Sequence, residues 1–169
     1  MISIRYARNE DVAALVEIGL AAWESAASGV ADLTTLRDNA RIAFHRFLAD
    51  QWLTVILAEG DGVPAGWIAR EARDDQISDL WVLPELHRQG VGSALLLAME
   101  DEMRTTGFEE VGLQTHARNE QAIAFFRKHD YAVAWLSTSY VARMDRNMES
   151  IGMRKPLAAS QPVSTTEWF

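Results

Sequence analysis

Apolar positions recur three and four apart at Val12, Leu15, Val16, Gly19, Ala22 and Trp23, and again at Leu36, Ala40, Ala43, Phe44, Phe47 and Leu48. The two stripes predict successive amphipathic helices, one running to about Glu24 and one to about Asp50, with Ser25 to Val30 small and loop-like between them. Ahead of them Ser3 to Ala7 alternates as a strand does, and Asn9 with Glu10 and Asp11 behind it reads as a helix N-cap with acids in the first turn. Past the helices the period changes. Leu53 to Glu59 and Val63 to Glu71 are apolar, β-branched runs on either side of Gly60-Asp61-Gly62, with Pro64 near the start of the second, which predicts a β-hairpin. Arg73-Asp74-Asp75 reads as a further turn and Gln76 to Leu83 as the next strand, so three antiparallel neighbours are expected.

The stretch from Leu80 to Leu97 reads as strand, tight turn and helix, with Gly90 and Gly92 two apart at the turn. Backbone N–H groups at a helix N-terminus then point at one spot, which attracts anions, and glycine lets a phosphate approach the backbone. From Ala94 to Met99 this third helix is apolar nearly all round, predicting that its first half is buried against a sheet, and Gly107 is a natural C-cap. Val111 to Thr115 is the following strand, and a helix between two strands implies a parallel crossover. Asn119 is placed to cap a fourth helix bearing Ala122, Ile123, Phe125 and Phe126, with Lys128 and His129 at its dipole-favoured end. Tyr131 to Leu136 reads as a strand, Ser137 to Asn147 as polar and irregular, and Met148 to Arg154 as a last strand. Residues 158–169 read as a mobile tail whose terminal Trp168-Phe169 calls for somewhere to dock.

At 169 residues, 49% apolar and 24% charged, the chain fits one domain with a real core, placed at residues 1–157. The absence of cysteine excludes disulfides, thiolate metal sites and a cysteine nucleophile. No apolar stretch approaches the ~20 residues of a membrane span and no signal-peptide core opens the chain, so a cytoplasmic protein without a membrane partner is expected. A net charge of −8 argues against nonspecific nucleic-acid binding and chiefly serves solubility. No metal is expected, because neither His-x-x-x-His nor an EF-hand array occurs. The phosphate-loop and full Gly-x-Gly-x-x-Gly patterns are likewise absent, which disfavours a nucleotide hydrolase and a dinucleotide oxidoreductase.

Val82-Leu83-Pro84-Glu85, then His87-Arg88-Gln89-Gly90-Val91-Gly92-Ser93-Ala94-Leu95-Leu96, then Asn119 to Phe126 and Asp130-Tyr131 together resemble the GNAT superfamily of acetyl-CoA-dependent N-acetyltransferases over roughly residues 1–157. The order and spacing carry the likeness; Gly-x-Gly alone would not. The resemblance implies a mixed α/β fold with a central six- to seven-stranded sheet, largely antiparallel, with a parallel pair splayed at the cofactor cleft and about four flanking helices. It also implies that acetyl-CoA is the cosubstrate, its pantetheine lying between the strand of Leu80, Trp81 and Val82 and the strand of Gln114. The backbone of Trp81 and Val82 would hold the pantetheine and the thioester carbonyl. The N–H groups of Arg88, Gln89, Gly90, Val91, Gly92 and Ser93 would bind the pyrophosphate, and Asn119 would meet the pantetheine arm. Many relatives are dimers, so a homodimer is the guess for assembly.

Three departures stand out. The family's Arg or Gln opening the signature is His87, its usual tyrosine acid is Phe126, and a common glycine is Asp130, a residue that tolerates a left-handed backbone. Amine acetylation needs a proton acceptor, a polarised carbonyl and a leaving thiol, and the last leaves readily at its ordinary pKa. Candidate bases are Asp79, Asp75, Glu71 and His116. Asp79 among Ile77, Leu80 and Trp81 reads equally as a strand-edge carboxylate paired with an arginine, and His116 as a surface-loop histidine. Tyr140, folding over the site from an irregular loop, and Tyr131, packing at the start of its strand, are the available acids. Arg127 and Lys128 could reach a CoA phosphate or simply form a solvated helix face, and Trp23, Trp67 and Trp81 read as core. Two functions follow: an N-acetyltransferase acting on a primary amine in a ternary complex, or a non-catalytic acyl-CoA sensor or assembly module of the same fold.

Overall fold

Antiparallel pairing organises the first part of the chain. In a computed structural model that describes residues 1–27, 33–141 and 146–157, the chain forms two compact units, Met1–Met99 and Glu100–Phe169. The first unit carries β1 (Ile2–Tyr6), α1 (Val12–Ala26), α2 (Leu33–Gln51), β2 (Ile56–Gly60), β3 (Val63–Ala69), the two-residue β4 (Gln76–Ile77), β5 (Asp79–Val82) and the start of α3 (Val91–Thr105). Its sheet runs β1-β2-β3-β5 with every pair antiparallel, so the three strands expected after the helices are neighbours. Asp61 and Gly62, at φ 51° and 80°, make the left-handed two-residue turn between β2 and β3 that matches strand twist.

The helical stripes do what their spacing predicts. Leu15, Val16 and Ile18 of α1 and Phe44 and Leu48 of α2 pack with Val55, Leu57, Trp67 and Ala69 into one core. The fully buried Trp67 donates from Nε1 to the Leu15 carbonyl at 2.9 Å, which satisfies its one polar atom and ties β3 to α1. Phe44 meets Trp67 and Trp81 edge-on, at 6.0 and 5.4 Å between centroids. Gly19 is what lets the two helices close: a Cβ there would lie 2.9 Å from the Phe44 ring.

Three local expectations are corrected here. Asn9 is not the cap; it lies inside a 3-10 turn, Asn9–Asp11, and the Asp11 carboxylate accepts the Arg8 N–H at 2.7 Å. Leu53 belongs to a second 3-10 turn, Trp52–Thr54, and is 70% exposed, because the strand starts only where the chain meets β1. The strand expected from Gln76 to Leu83 is broken at Ser78, whose N–H donates to Ala69 O and whose Oγ accepts the Glu71 N–H. A serine that bonds nearby backbone competes with the ladder.

The second unit takes the rest of α3, then β6 (Glu110–His116), α4 (Glu120–Lys128), β7 (Ala132–Val141) and β8 (Arg146–Pro156). Its strands run β6-β8-β7, again antiparallel. Gly107, at φ 94°, ends α3 as expected, and Asp130, at φ 72°, adopts the left-handed turn that its glycine-like position requires. The irregular reading of Ser137 to Asn147 is overturned at 137–141 and 146–147, while positions 142–145 lie outside the described residues. β7 continues to Val141 and β8 begins at Arg146, with Tyr140 paired to Asn147. Threonine and tyrosine suit an exposed strand, and polarity there signals solvent rather than loop. The buried half expected of α3 is buried on one side only: Leu95, Leu96 and Met99 are inside, whereas Leu97 is 49% exposed. The expected tail and its Trp168-Phe169 lie outside the described residues, as do positions 28–30 of the loop after α1. Among the described residues no helix is long and apolar enough to cross a membrane, and no group of His, Cys, Asp or Glu could hold a metal ion.

In each unit a buried carboxylate is held in an ion pair whose loss is measurable. In the first, Arg5 donates to both Asp11 oxygens at 2.8 and 2.9 Å and also pairs with Glu59, joining β1 to the entry of α1 and to β2. The Arg5 guanidinium and the Arg8 N–H hold the Asp11 carboxyl below its usual range against the opposing effect of burial. The pair therefore contributes stability in full above the ordinary carboxylate pKa and loses it as pH falls through the depressed folded value. Asp11→Asn should cost about 1–3 kcal/mol at neutral pH. The gap from wild type should narrow in acid, measured by urea unfolding at pH 7 and pH 3; an equal gap at both would contradict this account. In the second unit Glu100, fully buried on α3, receives Lys155 Nζ at 2.8 and 3.2 Å and the Tyr131 hydroxyl at 3.1 Å. Lys155→Met should destabilise by roughly 3–5 kcal/mol because the carboxylate is left buried without its main cation. Pairing it with Glu100→Gln should recover most of that loss in the same unfolding assay.

Candidate functional site

The strand, turn and helix from Asp79 to Ser93 give the first unit a backbone geometry suited to an anionic, amide-bearing ligand. Leu83 donates its N–H to Ala65 O on β3 at 3.0 Å. A peptide unit is planar and trans, so the Val82 carbonyl, which belongs to the same unit, points the other way, off the outer edge of β5. The Trp81 carbonyl instead faces β3, 2.8 Å from where a Cβ on Gly66 would stand, so the Val82 N–H of that peptide also points outward. Only glycine at position 66 permits this approach. Val82 thus presents both a donor and an acceptor on one edge.

Beyond it, Pro84–Leu86 forms a 3-10 turn and His87 returns towards the strand, its Nε2 lying 3.0 Å from the Val82 oxygen. Arg88 and Gly90 then adopt φ values of 63° and 85°. Two left-handed residues in close succession curl the backbone N–H groups to one side, the geometry of an anion nest. The chain enters α3 directly, and Ala94 is the first residue whose N–H finds the Gly90 carbonyl, at 3.0 Å. The N–H groups of the turn before it precede the helix's own acceptors and add the positive end of its dipole. A Cβ on Gly90 would meet only Ile2, at 3.8 Å, so glycine is required there by the backbone angle and not by packing. Gln89, Val91, Gly92 and Ser93 lie in this same turn and first helical residues, with Gln89 Nε2 reaching Glu85 O at 3.4 Å.

Asp79 opens β5 with both carboxylate oxygens engaged: Oδ1 accepts Trp81 Nε1 at 3.0 Å and Oδ2 accepts Ser78 Oγ at 2.8 Å. The expected arginine partner is replaced by these neutral donors. Trp81 is half-buried and holds its ring against Phe44, which fixes the direction of its N–H. Of the other acids considered, Asp75 accepts Gln76 Nε2 at 3.1 Å and Glu71 is exposed.

In the second unit His116 ends β6 and is part of the strand, not of a loop after it. Its Nδ1 accepts the Arg118 N–H at 3.0 Å, so in the neutral ring Nε2 carries the proton and the ring presents a donor. Asn119 caps α4 as its spacing predicts, its amide oxygen taking the Ala122 N–H at 3.2 Å; what it can offer a ligand is the Nδ2 amide. Phe126 is buried, edge-on to Phe125 and Tyr131 at 5.1 and 5.3 Å. Burial first, and the Glu100 carboxylate second, push the Tyr131 phenol well above its ordinary pKa, so Tyr131 is a packed donor to Glu100. Tyr140 stands 61% exposed on β7, and Arg127 and Lys128 are exposed in the last turn of α4.

Sequence reasoning missed two arrangements. Glu100 interrupts the apolar run Ala94 to Met99 on the same face as Leu96 and Met103, and that break in the stripe was the available signal. The link from His87 to Val82 joins positions five apart through a non-helical turn, and no periodicity marks it.

Residues 14–131 match the model of the acetyltransferase (GNAT) family. The mycothiol acetyltransferase of Clavibacter michiganensis subsp. michiganensis is 31% identical over 99 residues, 55% of this chain and 32% of that protein, so the match spans about a third of the relative's length. The ribosomal protein bS18 alanine N-acetyltransferase of Escherichia coli K12 is 26% identical over 110 residues, 64% of this chain and 74% of its own. In three dimensions the paia N-acetyltransferase of Thermoplasma acidophilum, solved in complex with coenzyme A, shares the fold at a TM-score of 0.74 with 21% identity, covering 92% of this chain and 99% of that one. A family model that takes in the glycine turn, α3, β6 and α4 together reads the same elements that the backbone geometry singles out, and the chain belongs to the GNAT acetyltransferase family.

Proposed function

We propose that the chain is an acetyl-CoA-dependent N-acetyltransferase that moves the acetyl group to a primary amine by direct attack in a ternary complex, with residues 1–157 as its GNAT-like domain. The observation that carries this reading is the left-handed Arg88 and Gly90 pair, which turns the chain from the outward-facing Val82 edge into the N-terminus of α3. A pyrophosphate matches the N–H groups of the turn, and a pantetheine amide N–H matches the lone pair of the Val82 carbonyl that His87 leaves open. The outward Val82 N–H is the group we assign to the thioester carbonyl, where a fixed backbone donor stabilises the developing oxyanion.

The amine nitrogen forms its bond to the acetyl carbon, the carbon–sulfur bond breaks, and the CoA thiolate leaves. Asp79 is our choice for the ammonium proton, taken directly or through one water, because its carboxylate is oriented by Ser78 and Trp81 and accepts only. His116, fixed as an Nε2–H donor, suits holding an acceptor oxygen better than taking a proton. Phe126 has no proton to give, so Tyr140 is our candidate for protonating the thiolate, and a thiol of ordinary pKa tolerates its loss. With no cysteine in the chain, an acetyl-cysteine intermediate is excluded. The homodimer is kept as a proposal, which sedimentation would test.

The test is thiol release from acetyl-CoA across a panel of amines that includes a peptide beginning with alanine, after the bS18 relative, and small-molecule amines. Amine-dependent release is expected, together with a loss of at least tenfold in kcat/KM for Asp79→Asn. Tight acetyl-CoA binding without release for any amine would favour the acyl-CoA sensor or assembly module instead. Gly90→Val should fold, since a Cβ there makes only an ordinary contact with Ile2, yet weaken acetyl-CoA binding tenfold or more by calorimetry, because a β-branched residue resists the left-handed angle that shapes the turn. Unchanged affinity would sink the cradle assignment.

A further inference from the structure

We infer that His87 is a positioning residue whose Nε2–H braces the Val82 carbonyl and so sets the cofactor edge of β5 relative to the α3 turn, a role that rests on the acetyl-CoA reading above. Position 87 opens the signature where the family has Arg or Gln, and its ring turns back towards β5. Nε2 lies 3.0 Å from Val82 O, and a carbonyl oxygen only accepts, so the ring nitrogen facing it is the protonated one. Val82 O is the oxygen that planarity directs off the outer edge of β5, since its own peptide N–H is spent on Ala65.

The bond closes a short circuit. From Val82 the chain passes through the 3-10 turn Pro84–Leu86, where Leu86 N–H donates to Leu83 O at 2.9 Å and His87 N–H to Pro84 O at 3.3 Å. At His87 the backbone is extended, at φ −60° and ψ 150°, and the next residue, Arg88, is left-handed without being glycine. A non-glycine residue holds that conformation only where its surroundings over-determine it. The His87 side chain supplies a constraint on the near side of Arg88, and the Gly90 carbonyl bonded to Ala94 supplies one on the far side. The strand edge that would hold pantetheine and the turn that would hold pyrophosphate are thereby fixed in spacing by one imidazole.

Glutamine tests this cleanly, because its Nε2 stands the same number of bonds from Cα as the histidine Nε2, whereas the asparagine amide stops one bond short. His87→Gln should keep acetyl-CoA affinity within about twofold of wild type. His87→Asn and His87→Ala should each weaken it roughly five- to tenfold, the scale of one lost hydrogen bond, with kcat at saturating acetyl-CoA held within twofold. Circular dichroism of all three variants confirms that they fold, and the split of KM from kcat together with rescue by glutamine separates bracing from bulk stability. Equal affinity in all four proteins, or glutamine as weak as alanine, would overturn the brace while leaving the acetyltransferase reading intact. A wild-type chain that bound no acetyl-CoA would overturn that reading and the brace with it.

Discussion

The planarity of one peptide bond, between Val82 and Leu83, decides what the first unit can present to a ligand. Leu83 spends its N–H on Ala65 of β3, which commits the Val82 carbonyl to the opposite edge of the strand. Everything that frames this unit keeps that arrangement in place. Gly66 leaves room for the Trp81 carbonyl, Trp67 anchors β3 to α1 through Leu15, and Phe44 wedges against both tryptophans from α2. The core thus serves the edge, since moving β3 by a fraction of an ångström would change where the outward groups of Val82 point.

Both units bury a carboxylate in the same way. Asp11 with Arg5, and Glu100 with Lys155, are pairs in which both oxygens of a buried carboxylate are occupied, and their worth lies in tying distant segments together. Asp79 also has both oxygens occupied, but by the neutral donors of Ser78 and Trp81. A carboxylate oriented by neutral groups keeps its acceptor character while its direction is set. That contrast distinguishes a chemical candidate from structural pairs of the same residue type.

Much of the fold was legible because its signals are local. The stripes of α1 and α2, the Asp61-Gly62 turn, the Gly107 end of α3, the Asn119 cap and the left-handed Asp130 each follow from a few neighbouring residues with one strong preference. The failures have a shared cause as well. Asn9 looked like a cap because capping chemistry was read forwards, whereas the acceptor came from Asp11 reaching back to Arg8. Ser137 to Tyr140 looked like a loop because polarity was taken for irregularity, although an outer strand facing solvent needs no apolar alternation.

The sequence by itself determined the family-bearing elements and their order: hairpin, strand, glycine turn, helix, and an asparagine-capped helix. It did so because glycine angles, caps and hydrophobic period are properties of short segments. Only the tertiary structure decided what individual side chains do within those elements. It gave Asp79 two neutral donors in place of an arginine, made His116 a donor by pairing Nδ1 with Arg118, buried Tyr131 on Glu100, and set the His87 ring against the Val82 carbonyl. Those assignments depend on which way a carbonyl or a ring faces, and that direction is set by hydrogen bonds between segments that no periodicity in the chain records.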